Sequence, residues 1–142
     1  ELDAHNVEFI ALAGFMRVLT PWLVSRWEGR MINIHPSLLP SFPGLHTNQR
    51  AINAKCRLAG CTVHYVTAGV DEGPIIGQAV VPVMSGDTPD TLSARVLEAE
   101  HKLYPACLKL VAEGKARVSA ECVRIADGSE PDAETVLSNP AV

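Results

Sequence analysis

Nowhere among its 142 residues does the chain approach the roughly 18 uninterrupted apolar positions that cross a bilayer, so no membrane partner is expected. The opening stretch ELDAHNVEFI lacks the basic start and apolar core of a secretory signal, and the expected location is the cytoplasm. A C-x-x-C pair is also missing, as is any His at matching spacing. Cys56, Cys61, Cys107 and Cys122 are therefore expected as reduced, partly buried thiols rather than zinc ligands or disulfides. There is no surplus of base either. The net charge of −4 comes wholly from the segment after Val118, where five acids face Arg124 alone. The balanced remainder offers no nucleic-acid footprint, and a small-molecule partner is expected. With 47% apolar residues, no internal repeat and no low-complexity tract, the length suits a single α/β or α+β domain.

What is present is a succession of short, well-punctuated elements. VEFIALAGF (7–15) is a continuous apolar run ending at Gly14, as expected for a strand covered on both faces. TPWLVSRWEG follows as a short helix, with Thr20 as N-cap, Pro21 in the first turn and Gly29 as the stop. RMINIHP then reads as a strand ended by Pro36, completing a parallel strand–helix–strand crossover. The spacing predicts a helix over 46–55, a half-buried alternating strand over 61–66 and its antiparallel partner over 75–83. From Asp87 as N-cap, with Pro89 behind it, Leu92, Val96, Ala99, Leu103, Cys107 and Val111 mark one helix face up to Gly114, with a kink expected at Pro105. Beyond Val123 the Gly, Pro, Ser and acidic content predicts a loose tail.

The chemistry-bearing residues gather around MINIHPSLLPSFPG. Asn33 and His35 are two positions apart on a strand, so they share a face about 6.5 Å apart, at the carboxyl end where open α/β sheets bind ligands. Pro36, Pro40 and Pro43 stiffen the loop that follows. A structural His and Asn remain open beside a catalytic pair, which needs a third member. Asp71, on a Gly-bordered loop, is the candidate, because a carboxylate beside an imidazole orients its protons, whereas an Asn amide can donate to a developing oxyanion. A capping role for Asp71 is equally open.

FIALAGFMRVLTPWLV, MINIHPSLLPSFPGLHT and GCTVHYVTAGVDEGPIIGQ, in this order and with 36 positions between His35 and Asp71, resemble the second half of the folate-dependent glycinamide ribonucleotide formyltransferases. The likeness runs from about Val7 to Asp127. It implies the C-terminal part of a Rossmann-like fold: a mostly parallel sheet with flanking helices and an antiparallel strand pair. It further implies a formyltransferase domain over 1–126 and a loose acidic tail over 127–142. The reaction implied is formyl transfer from 10-formyltetrahydrofolate, the co-substrate, to glycinamide ribonucleotide in purine synthesis, with no metal. By resemblance the catalytic residues are Asn33, His35 and Asp71. Met16, Arg17, Val18 and Leu19 would border the folate, with Asn33 and the loop Thr67, Ala68, Gly69, Val70 and Asp71 completing that site. Met16, Ile34, Pro36 and Glu100 would meet the substrate, Glu100 otherwise being a solvated helix residue. His64 would neighbour the pocket or simply pack on its strand, and His46 carries no assigned chemistry.

Ala68 departs from the acid that relatives often carry there. The family's Gly-rich phosphate turn is also missing, so the expectation is of a domain lacking its N-terminal strands, in need of that half from its own longer chain or another one. Competing readings are a formyltetrahydrofolate deformylase, a methionyl-tRNA formyltransferase, disfavoured by the acidic balance, and a catalytically silent folate-binding fragment.

Overall fold

The computed structural model describes residues 1–15, 17–126, 128–133 and 137–141. After a single 3-10 turn at Asp3–His5 come β1 (Ile10–Leu12), α1 (Pro21–Arg26), β2 (Met31–His35) and α2 (Thr47–Asn53). Then follow β3 (Leu58–Tyr65), β4 (Ile75–Pro82), α3 (Pro89–Ala112), β5 (Ala116–Ser119) and β6 (Cys122–Ile125). Strands 1 to 4 form one sheet in chain order, and β5 and β6 form a separate antiparallel pair. The α/β class, the flanking helices and the antiparallel partnership of β3 with β4 are as expected from the sequence. Parallel pairing is confined to β1 and β2, where Ile10 lies opposite Met31, while β2–β3 and β3–β4 are antiparallel.

Local chemistry explains most of these boundaries. Thr20 accepts the Leu23 amide hydrogen and Pro21 opens α1, so this helix starts where its cap and its first-turn proline meet. The apolar run from Val7 contributes only three residues to β1, all exposed or half-buried, because β1 is an outer strand paired on one side only. Tyr104, from α3, donates its hydroxyl to the Leu12 carbonyl at 2.6 Å and so ties that strand to the helix layer. Conversely β3, expected as half-buried, is covered on both faces over seven of its eight residues, between α3 on one side and the loop after β2 on the other. Gly77 permits the close approach of α3, since a Cβ there would lie 2.7 Å from Cys107 Sγ. Leu92, Val96 and Cys107 are buried against the sheet, as their spacing predicts, and α3 continues through Pro105.

Asp87 is not the cap of α3; Thr88 is, in a reciprocal box with Thr91. One residue earlier, the Asp87 carboxylate accepts from the Met84 amide at 2.7 Å and from both Arg95 guanidinium nitrogens at 2.8 and 2.9 Å. This bidentate Arg95 pairing holds the Asp87 carboxyl well below the usual range. The hairpin of β5 and β6 was not foreseen, and Asn139, in the expected tail, donates its side-chain amide to the carbonyls of Arg57 and Val83.

Asp87→Ala should lower the unfolding free energy by about 1–3 kcal/mol, through stranded donors and a freed Arg95. Because the carboxyl is depressed in the folded state, this advantage should be whole above its ordinary value of 3.8 and shrink as pH falls below it. Denaturant curves at pH 7 and pH 3 check both parts; an equal difference at the two pH values would contradict the second.

Candidate functional site

The carboxyl end of β2 presents Asn33 and His35 on one face, and pairing with β3 extends that face. Asn33 lies opposite His64, and His35 opposite Thr62. Residues opposite each other in an antiparallel pair share a side, so the four side chains make a polar patch on an otherwise apolar sheet. The loop after β3 then brings Asp71 back over the patch. Two features fix that loop. Tyr65 donates its amide hydrogen to the Pro74 carbonyl, and Gly73 packs so closely that a Cβ would fall on the Tyr65 carbonyl oxygen. Asp71 itself adopts φ 53°, a left-handed conformation that Asp tolerates better than most side chains.

Asp71 stands between two imidazoles. Its Oδ2 is 3.5 Å from His35 Nδ1, and its Oδ1 is 3.9 Å from His64 Nε2. Oδ2 also accepts the Gly44 amide hydrogen at 3.0 Å. On its other edge His35 donates Nε2–H to the Phe42 carbonyl at 3.0 Å, which leaves Nδ1 as the nitrogen facing the carboxylate. His64 donates Nδ1–H to the Tyr65 carbonyl at 2.9 Å. Its Nε2 is buried without a hydrogen-bond partner among the described residues, as is Asn33 Oδ1. Buried polar atoms are ordinarily paired, so these two mark a place prepared for something polar to arrive. A half turn about the last side-chain bond of Asn33 would present its amide hydrogens to the same point.

These groups line a cavity of about 620 Å³ that also contains Arg17, Val18, Leu19, Ile34, Pro36, the loop Thr67 to Val70 and Glu100. Every candidate residue named from the sequence therefore borders one space, except Met16, which lies outside the described residues. Glu100 is half-buried on α3, and burial pushes its carboxyl above the ordinary value against the opposing pull of His101 and His35. Sequence reasoning missed the far wall: His46, Thr47, Asn48, Ser93 and Leu97 also line the cavity. It missed the backbone contributions of Phe42 and Gly44 altogether. Among the described residues no group of three or more His, Cys, Asp or Glu side chains is placed to share a metal ion, and no helix is long and apolar enough to cross a membrane.

An imidazole and a carboxylate in contact, an adjacent amide and a large, mostly apolar cavity suit proton transfer beside an oxyanion. A family model described as formyl transferase matches residues 1–108. The chain belongs to the formyl transferase family. Among curated relatives it is 54% identical over 117 residues to the trifunctional purine biosynthetic protein adenosine-3 of Gallus gallus, covering 82% of this chain and 12% of that one. It is 46% identical over 118 residues to the phosphoribosylglycinamide formyltransferase of Escherichia coli, covering 83% of this chain and 56% of that one. The crystal structure of the phosphoribosylglycinamide formyltransferase from Anaplasma phagocytophilum superimposes with a TM-score of 0.88 at 45% identity, over 91% of this chain and 64% of that one. This formyl transferase chain thus spans less than two thirds of the length of each of these relatives.

Burial is the main reason that His64 titrates below its ordinary value of 6.5, and the neighbouring His35 adds to it. The folded protein keeps His64 neutral while the unfolded chain takes up the proton. Its stabilising effect is complete above that ordinary value and lost as pH falls below it. Replacing His64 by Gln should flatten the decline of stability between pH 7 and pH 5 by up to about 1.4 kcal/mol per pH unit. Parallel stability profiles for the two proteins would contradict this.

Proposed function

We propose that this chain carries the reacting half of a phosphoribosylglycinamide formyltransferase. It would move the formyl group from N10 of 10-formyltetrahydrofolate to the primary amine of glycinamide ribonucleotide. The observation that supports this most is the meeting of Asn33, His35 and Asp71 at one wall of a cavity large enough for a bicyclic ring and its substituent. The relatives named above point the same way and favour this reading over a deformylase.

In this reading the amine attacks the formyl carbon, and the carbonyl oxygen gains negative charge in the tetrahedral intermediate. Asn33 turns its amide toward that oxygen, and His35, held by the Phe42 carbonyl, stands at the same tetrahedral centre with Nδ1 toward Asp71. Asp71 orients His35 and receives the proton that the attacking amine sheds. Collapse then breaks the carbon–N10 bond, and the proton held by Asp71 passes to N10, which completes the exchange and restores the carboxylate. Arg17, Val18, Leu19 and the loop Thr67 to Asp71 would hold the folate, and the family resemblance adds Met16 to that role. Ile34, Pro36 and Glu100 would face the ribonucleotide. Its phosphate would be held by residues outside these 142, supplied by the longer chain or by a companion polypeptide. Neither a metal nor nucleic acid enters this scheme, and the proposed location is the cytoplasm.

His35→Ala, Asp71→Asn and Asn33→Ala should each reduce formyl transfer at least roughly a hundredfold in the full-length protein while leaving cooperative unfolding in place. A 10-formyl folate analogue should still raise the melting temperature of the Asp71→Asn variant. Near-normal turnover in any variant would remove that residue from the scheme, and no stabilisation of the parent protein by the analogue would remove the folate reading.

A further inference from the structure

One polar row runs deeper into the sheet than the cavity does. His35 on β2 lies opposite Thr62 on β3, and Thr62 lies opposite Gln78 on β4, so three polar side chains cross three strands in register. Thr62 is fully buried, yet its hydroxyl is used to capacity. It donates to the Ser37 carbonyl at 2.7 Å and accepts from the Leu39 amide at 3.1 Å and from Gln78 Nε2 at 3.0 Å. Gln78 Nε2 also donates to the Leu39 carbonyl at 2.9 Å. Both backbone groups of Leu39 and the carbonyl of Ser37 are thereby fixed to the sheet. The connection continues outward, because the Ser37 hydroxyl donates to the carbonyls of Ser41 and Phe42, at 2.6 and 3.0 Å. The Phe42 carbonyl is the acceptor for His35 Nε2, and two residues on, the Gly44 amide grips Asp71.

We propose that Thr62 and Gln78 are positioning residues, which set the tautomer and ring angle of His35 by fixing the loop from Ser37 to Gly44. This rests on the proposed formyl transfer only for its effect on rate; its effect on the imidazole does not depend on it. The loop has no regular structure of its own, and it must present one carbonyl to His35 and one amide to Asp71 within hydrogen-bond tolerance. A valine at 62 keeps the volume of threonine but strands the Leu39 amide and releases Ser37, so the loop loses its two anchor points at once. A serine restores the hydroxyl and loses only a methyl group. Gln78 is exposed and braces Leu39 from outside, so removing its amide loosens the same loop with little cost to packing.

The test compares Thr62→Val, Thr62→Ser and Gln78→Leu in the full-length protein by nitrogen-15 NMR of the histidine rings and by steady-state kinetics. The parent His35 should carry its proton on Nε2 with the shift of a hydrogen-bonded N–H. Thr62→Val and Gln78→Leu should move that resonance toward a mixed tautomer, and Thr62→Ser should leave it in place. In formyl transfer, kcat should fall about tenfold or more in Thr62→Val with KM for the folate within about twofold, and Thr62→Ser should recover most of the loss. An unchanged His35 resonance in both Thr62→Val and Gln78→Leu would overturn the proposal, whatever the substrate. If Thr62→Val does not fold, Gln78→Leu gives the same reading alone. A parent protein without transfer activity would refute the proposed reaction, while the NMR comparison would still decide the positioning role.

Discussion

The carboxylate of Asp71 is the constraint on which the site depends. It is nearly covered, with a side chain 13% exposed, and it lies against His35, His64 and the Gly44 amide. A carboxylate taken this far from water needs a donor, which the Gly44 amide supplies, and the three groups that surround it come from three different stretches of chain. β2 supplies His35, β3 supplies His64, and the proline-punctuated loop between β2 and α2 supplies the amide. Holding that one group correctly therefore requires the sheet register, the loop path and the turn after β3 to be right together.

Each of these has its own support. Register comes from the apolar face of β2 and β3, where Ile32, Ile34, Cys61, Val63 and Tyr65 are buried, so a slip by one residue would send the polar patch into the core. The loop path comes from backbone hydrogen bonds to Thr62, Gln78 and Thr47, the last donating to the Pro36 carbonyl at 2.6 Å. The turn after β3 depends on Gly73, where no side chain fits. The cavity is thus a product of the same packing that makes the sheet, and the buried Asn33 Oδ1 and His64 Nε2, without a hydrogen-bond partner among the described residues, sit where the packing leaves a gap.

How much of this was legible from residues alone follows from how local each signal is. The start of α1 was readable because Thr20 and Pro21 act within one turn. The start of α3 was misjudged by one position because Asp87 and Thr88 are both good caps, and the distant Arg95 recruits Asp87 away. The β5–β6 hairpin carried no warning. Its two turn residues, Ala120 and Glu121, both have positive φ, at 49° and 68°, where Asn-Gly or Gly would be the recognisable choice. Within the site, Asn33 and His35 were paired by strand periodicity, whereas Asp71 was a candidate from its Gly-bordered loop that only the resemblance favoured over a capping role, since no spacing rule brings a loop back over a sheet. The Phe42 carbonyl and the Gly44 amide were invisible, because a backbone group has no residue identity to read.

The central claim is that the wall bearing Asn33, His35 and Asp71 is where the formyl carbon sits. A crystal structure with a folate analogue carrying a carbonyl group at N10 tests it most directly. The account predicts the carbonyl oxygen within about 3 Å of the Asn33 amide or the His35 ring, with the pterin against Thr67 to Asp71. A ligand bound elsewhere, or one whose carbonyl points away from that wall into solvent, would contradict it.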